Sequence, residues 1–144
     1  MAPVLLPITL TAVGGAGIIN FWLAVRTGLI RRQTGVELGD GGNLPLIRRM
    51  RAHANFVEYA PFVLLLIALI EFSIGSPVWL WAVSSVFLIS RIAHALGMDG
   101  MPGGREGGTF VTFAVLLALS AYAVALPFTG GIGRVVTETV IRVR

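Results

Sequence analysis

The chain alternates long apolar stretches with short polar ones, and this pattern predicts four membrane-spanning helices. Residues 1–25 carry no charged side chain, and the stretches 72–90 and 107–133 are also free of charge. About 20 helical residues, at 1.5 Å each, cross the roughly 30 Å hydrocarbon core of a bilayer. A further apolar run follows the arginines at 48, 49 and 51. We predict helices at approximately 4–30, 47–73, 77–97 and 105–127, in one all-α membrane domain covering residues 1–144.

The connections between these helices are predicted to be short. Residues 31–46 form the longest polar stretch, and its Gly-Asp-Gly-Gly-Asn sequence at 39–43 predicts an ordered turn before helix two. Residues 71–77 predict a tight turn, and the glycine-rich residues 98–108 predict a loop before helix four. The tail at 130–144 is mixed and predicts no regular element.

Composition excludes an ordinary soluble protein. Hydrophobic residues make up 56% of the chain and charged residues 12%, against roughly 25% charged in soluble domains. There is no cysteine, which excludes a disulfide framework, a thiolate metal site and a cysteine nucleophile. No metal site is predicted.

The net charge of +4 comes from arginine, because the chain has no lysine. The arginines stand at the edges of apolar runs, as in membrane proteins, and form no basic face for nucleic acid. Six of them lie at or near the first loop and none in the second. The positive-inside rule therefore places loops one and three in the cytoplasm and both termini outside. The tail arginines at 134, 142 and 144 oppose this orientation.

Helix two carries a polar row, Arg51, Asn55 and Glu58, at spacing i, i+4, i+7. At 100° per residue these side chains lie within about 60° of one another. A charge inside a membrane helix costs roughly 2.5 to 3.5 kcal/mol on insertion scales. We therefore expect the row to be buried against protein or ligand. A salt bridge that joins helices is the structural alternative. His53 points away from the row by about 160°.

A second polar cluster is predicted near the same end of the bundle. Arg91 and His94 lie on one face of helix three, and Arg105 begins helix four. Several arginines on the same membrane side would repel one another unless an anion lay among them. The two clusters together predict an anionic ligand at the cytoplasmic interface.

The segment Arg-Ala-His-Ala-Asn-Phe-Val-Glu-Tyr-Ala-Pro at 51–61 resembles the helix-two signature of the MAPEG family, the membrane-associated proteins in eicosanoid and glutathione metabolism. The turn at 39–43 resembles the bacterial branch of that family, and Arg91-x-x-His94 agrees with the end of its helix three. The resemblance implies a multi-pass protein of a bacterial inner membrane. It also implies a homotrimer that binds glutathione between neighbouring subunits.

By this resemblance, the glutathione-binding residues would be Arg26, Arg51, Asn55, Glu58, Tyr59, Arg91 and His94. Arg51 and Asn55 would hold backbone and carboxylate groups, and Glu58 would hold the amino group. Tyr59 would add a hydroxyl contact. Arg26, at the end of helix one, would reach in from the adjacent subunit.

The resemblance assigns catalysis to Arg105, which would stabilise the glutathione thiolate. A guanidinium near a thiol lowers the thiol pKa and so favours the nucleophilic form. Two residues depart from the family pattern. Met98 stands where several catalytic members carry a tyrosine, and Glu106 stands where one branch has a serine near the thiol. A carboxylate beside Arg105 would partly neutralise it.

Three functions remain open at this point. The first is a membrane glutathione transferase or peroxidase that acts on lipophilic electrophiles. The second is a non-catalytic member that binds lipid or serves as a scaffold. The third is a small four-helix exporter, which would use a carboxylate in helix one. It is disfavoured because the first acidic residue of this chain is Glu37.

Overall fold

The computed structural model describes residues 5–129, which form four consecutive helices and a short 3-10 turn. The helices are α1 Pro7–Thr34, α2 Leu44–Ile74, α3 Val78–Met98 and α4 Gly104–Ala125, and the 3-10 turn is Leu126–Thr129. The predicted all-α bundle of four membrane-length helices is confirmed. The tail at 130–144 and the first residue predicted for helix one lie outside the described residues.

Much of the outer surface of the bundle is apolar, as a bilayer requires. Even the shortest helix, α3, has 21 residues. It is about 32 Å long at 1.5 Å per residue, enough to cross a bilayer core of roughly 30 Å. Large apolar side chains point outward from all four helices, among them Ile18, Phe62, Ile89 and Leu117. The chain is therefore a multi-pass integral membrane protein.

The first helix extends to Thr34, four residues beyond the predicted end at 30. Arg31 and Arg32 form its last turn, where cations interact favourably with the helix C-terminus. Gly35, at φ 68°, then ends the helix because a left-handed conformation costs glycine little. The Nη1 of Arg31 donates to the carbonyl of Gly39 over 2.8 Å and so holds the loop against α1.

The second helix lies at the centre of the bundle. Its N-cap is Asn43, whose Oδ1 accepts a hydrogen bond from the backbone N–H of Leu46 over 3.0 Å. It contacts each of the other three helices, as α3 also does. The core between them is apolar and includes Ile8, Ala16, Leu23, Phe56, Val63, Ile67, Phe87 and Leu119.

The end of α2 also fixes the start of α1 through Glu71, which is 1% exposed. Its carboxylate accepts from the backbone N–H groups of Ile8 (2.9 Å) and Thr9 (2.7 Å), and from the Thr9 and Ser76 hydroxyls (both 2.7 Å). The first turn of α1 has no acidic residue of its own. Glu71 therefore satisfies N–H groups that a helix start leaves unpaired, and its charge complements the helix dipole.

Glycines bring α3 and α4 into close contact near the candidate site. A Cβ on Gly97 would lie 2.0 Å from the backbone nitrogen of Arg105, and one on Gly108 would lie 2.6 Å from the Cβ of His94. A larger residue at either position would force the helices apart. The glycines therefore hold the start of α4 against the end of α3.

Candidate functional site

The polar row of α2 lies on the surface of the single chain. Arg51 and Glu58 are exposed, and Asn55 is half-buried. Within the single chain only Asn55 is partly covered, by Arg91 of α3, so burial of the row against ligand or a second subunit stays a prediction. Among residues 5–129 the ion pairs are those of Arg26 and Arg49 with Asp99, so neither charge of the row takes part in a salt bridge. Helix-joining salt bridges do not explain the row in this part of the chain.

Behind the row lies a buried hydrogen-bond chain that links α2, α3 and α4. Arg91 is 1% exposed, and its Nη2 donates to the Oδ1 of Asn55 over 3.0 Å. Its Nη1 donates to the Oγ1 of Thr112 over 2.7 Å, and Thr112 donates to the carbonyl of Gly108 over 2.7 Å. Thr112 is fully buried. The predicted site residues Arg91 and Asn55 are thus brought together, with Arg91 on the inner side.

His94 lies one turn further along α3 and is buried against the first turn of α4. Its Nδ1 is 3.2 Å from both the backbone carbonyl of Arg105 and the Oγ1 of Thr109. Thr109 also donates to the Arg105 carbonyl over 2.8 Å. His94 therefore contacts the backbone of Arg105, which orients the start of α4.

An open cleft of about 360 Å³ lies where the α3–α4 loop meets the start of α2. Its lining residues are Arg48, Gly97, Met98, Gly100, Met101, Pro102, Gly103, Arg105 and Glu106. Arg105 and Glu106 are both exposed at the start of α4. Arg48 is one turn before Arg51 on α2, so the cleft and the polar row adjoin each other. The cleft combines two guanidinium groups with one carboxylate.

Arg26 is directed into its own bundle, whereas a residue that contacts a neighbouring subunit would point outward. It is buried, forms an ion pair with Asp99 at the end of α3, and donates to the Ala95 carbonyl over 3.5 Å. Its guanidinium also lies 4.4 Å from the ring centroid of Trp22, a cation–π distance. Arg49 approaches the same Asp99 at 3.6 Å. The contribution of Arg26 to a neighbouring subunit stays a prediction.

Asp99 is the residue that sequence reasoning missed at this end. It follows α3 directly and neutralises two arginines from α1 and α2, so an added anion is not required for these two. The available signal was an acidic residue at the end of helix three, on the same predicted side as the arginine-rich first loop. Among residues 5–129, Arg48, Arg51 and Arg105 of the polar row and the cleft form no ion pair.

Tyr59 and His53 belong to the same helix as the row but contact different helices. Tyr59 is half-buried, and its ring meets Phe113 edge-on with centroids 5.3 Å apart. His53 faces α1 instead, where its Nε2 is 2.9 Å from the Oδ1 of Asn20. Tyr59 therefore adjoins the row, whereas His53 lies away from it.

A family model matches residues 9–125, described as the MAPEG family. The chain belongs to the MAPEG family. The matched range contains all eight predicted site residues, from Arg26 to Arg105. It also contains the four helices almost completely.

Similar proteins of this kind are found in Escherichia coli. The inner membrane protein YecN of strain K12 is 30% identical over 92 residues, which cover 62% of this chain and 70% of YecN. YecN of strain O6:H1 gives the same values. The similarity to an inner membrane protein is consistent with the apolar outer surface of this bundle.

Proposed function

We propose that this MAPEG protein binds glutathione on the polar row of α2 and uses it as a transferase or peroxidase on lipophilic electrophiles. The observation that carries the proposal is the row of Arg51, Asn55 and Glu58 on a membrane-spanning helix, whose two charged members are exposed and form no ion pair among residues 5–129. Charges on a membrane-spanning helix need a partner other than lipid. Glutathione offers two carboxylates and one amine, the groups that complement this row.

The spacing of the row suits a tripeptide. Glu58 lies seven positions after Arg51, which corresponds to about 10.5 Å along the helix axis. An extended α-linked tripeptide spans at most roughly 10 to 11 Å, and the γ-glutamyl linkage makes glutathione slightly longer, so it can reach along the row. A carboxylate at Arg51 and Asn55 and the amino group at Glu58 would use the full length of the row. Tyr59 would add a hydroxyl beside Glu58.

We propose that a second copy of the chain covers the row in a homotrimer. The row is open on the single chain, so a ligand held there would lie between subunits. Arg26 would take part from the neighbouring subunit only by exchanging Asp99 for the ligand, since the two are ion-paired within one chain. Its Nη1 is buried without a hydrogen-bond partner among residues 5–129, so it has a donor to offer in such an exchange.

Catalysis would depend on Arg105 in the adjoining cleft. Glutathione would supply the thiol that attacks an electrophilic carbon or reduces a hydroperoxide. The exposed guanidinium of Arg105 would stabilise the thiolate and lower its pKa. An apolar groove of about 290 Å³ between α3 and α4 includes Gly103 and Gly107, on either side of Arg105. A lipophilic substrate could therefore reach the cleft from the bilayer.

The site would face the cytoplasm. Loops one and three lie at the same end of the bundle, because Asp99 after α3 contacts Arg26 and Arg49 near loop one. The excess of arginine in the first loop favours the cytoplasmic side for this end.

A non-catalytic role in binding lipid or a partner is the second candidate. It is favoured by Glu106, which lines the cleft beside Arg105, and by Met98 in the same lining. A carboxylate there would weaken stabilisation of a thiolate. Binding at the α2 row would be retained in this case.

Calorimetric titration of the detergent-solubilised protein with glutathione tests the binding site. Arg51→Ala should weaken binding about 10- to 100-fold, since a hydrogen bond to a charged group contributes roughly 1.5 to 3 kcal/mol. Arg32→Ala removes an exposed arginine outside the site and serves as the matched control. Unchanged affinity in Arg51→Ala would exclude this site.

Thiolate absorbance and conjugation of an activated aryl chloride then test catalysis. Arg105→Ala should remove the thiolate signal and most of the rate, whereas glutathione still binds at the α2 row. If the wild-type chain binds glutathione but shows neither thiolate nor turnover with an aryl chloride or a lipid hydroperoxide, the non-catalytic function is the correct one.

A further inference from the structure

Arg91 is a buried cation whose partners in the described chain are neutral. It is 1% exposed, and no carboxylate among residues 5–129 lies within ion-pair distance of it. Its guanidinium bonds instead to Asn55 and Thr112. Burying a charge without a counter-ion is costly, so this arrangement calls for an explanation beyond helix packing.

The chemistry of the guanidinium determines how the Asn55 amide is turned. Arginine has hydrogen-bond donors and no acceptor. The atom that faces Arg91 must therefore be the Oδ1 of Asn55, as observed at 3.0 Å. The Nδ2 group, with its two N–H donors, is turned away from Arg91. Residues 5–129 provide no hydrogen-bond partner for Nδ2.

Thr112 fixes the other end of the same guanidinium. The Thr112 hydroxyl donates to the Gly108 carbonyl over 2.7 Å, so its lone pairs are free to accept from Arg91 Nη1 at 2.7 Å. Because a guanidinium is planar, a bond at each end restricts its rotation. Thr112 thereby holds the guanidinium against α4, whereas the Asn55 amide is oriented by the donors that Arg91 presents to it.

We propose that Arg91 is a positioning residue that keeps the Asn55 amide nitrogen turned toward the ligand. This proposal rests on the proposed function. With Asn55 held this way, the row presents hydrogen-bond donors at Arg51 and Asn55 and an acceptor at Glu58. A carboxylate is accepted at the first two positions and an ammonium group at the third. An Asn55 amide turned the other way would place a carbonyl oxygen against the ligand carboxylate and leave both unpaired.

Three variants separate positioning from packing in a glutathione titration. Arg91→Gln lets position 91 present an oxygen, so Asn55 can reverse, and affinity should fall at least tenfold, about 1.4 kcal/mol. Arg91→Lys presents donors alone and should stay within about threefold of wild type. Thr112→Val breaks the other bond of Arg91 without touching Asn55, and its affinity should also stay within about threefold.

Melting temperatures of the same detergent-solubilised variants show whether packing explains the affinities. Positioning predicts that all three variants lose some stability while Arg91→Gln alone loses affinity. If Arg91→Gln does not fold, Asn55→Asp replaces it. That variant keeps an acceptor for Arg91 and removes the N–H donors, so it should melt no lower than wild type and bind at least tenfold more weakly.

Two results would overturn the positioning role while leaving the proposed function intact. One is wild-type affinity in Arg91→Gln or in Asn55→Asp. The other is an equal loss of affinity in Thr112→Val and Arg91→Gln, which would assign Arg91 to packing. Failure of the wild-type chain to bind glutathione would overturn the proposed function and the positioning role together.

Discussion

Replacing Glu71 by glutamine tests whether one buried carboxylate holds the start of α1 against the end of α2. In the wild-type chain each carboxylate oxygen accepts two hydrogen bonds, Oε1 from Ile8 N–H and the Ser76 hydroxyl, and Oε2 from Thr9 N–H and the Thr9 hydroxyl. Glutamine keeps one oxygen. Its NH₂ group would replace the other oxygen and face the backbone N–H of Ile8 or Thr9. Both groups are donors, so that N–H would lose its hydrogen bond.

The expected loss follows from the number of bonds. Two hydrogen bonds to a charged acceptor, at roughly 1.5 to 3 kcal/mol each, are lost. Glutamine is neutral, so the variant avoids the cost of burying a charged carboxylate, and this offsets part of the loss. We expect a net destabilisation of about 2 to 4 kcal/mol. At about 3 °C per kcal/mol for a chain of this size, the melting temperature should fall by about 6 to 12 °C.

Thermal melting of the detergent-solubilised protein, followed by circular dichroism, measures this effect. Glu37→Gln makes the same change of charge at an exposed loop residue and is the matched control. A melting temperature for Glu71→Gln within about 2 °C of the control would refute the reasoning. It would mean that water or lipid headgroups satisfy the start of α1 as well as Glu71 does.

Two further changes test the end of the bundle near the candidate site. Gly108→Ala should destabilise the protein by about 1 to 3 kcal/mol because its Cβ would meet the Cβ of His94 at 2.6 Å. Gly107→Ala, whose Cβ would have nothing within 4 Å, is the control and should melt like wild type. Equal melting temperatures of the two variants would contradict close packing of α3 and α4. Asp99→Asn should lower stability by about 1 to 2 kcal/mol in chemical denaturation, since it leaves the buried Arg26 without its counter-ion. No loss on that change would show that Asp99 contributes nothing to holding Arg26.

The four helices could be predicted because the membrane imposes a simple local rule. A long uncharged run has to form a helix in lipid, where every backbone polar group needs an internal partner. The position of Arg51, Asn55 and Glu58 on one face followed from helix periodicity alone. Hydropathy ends helix one before residues 31 and 32, whereas the structure includes both arginines in the last turn of α1, where cations are favourable.

Contacts between distant segments could not be predicted in the same way. Asp99 lies 73 residues from Arg26, and Glu71 lies more than 60 residues from the start of α1. Nothing in the local pattern tells which arginine a carboxylate will meet. The same holds for Arg91, which the sequence placed near the ligand and the structure places behind Asn55.

By itself, the sequence determined the helical membrane fold, the residues of the polar row and their common face. These depend on hydropathy and helix period, which act within one segment. The tertiary structure alone decided that the row is open on the single chain and that Arg91 is buried behind it. It also decided that Asp99 neutralises Arg26 and Arg49. Burial and charge pairing depend on how helices pack, and packing brings together side chains that the sequence keeps far apart.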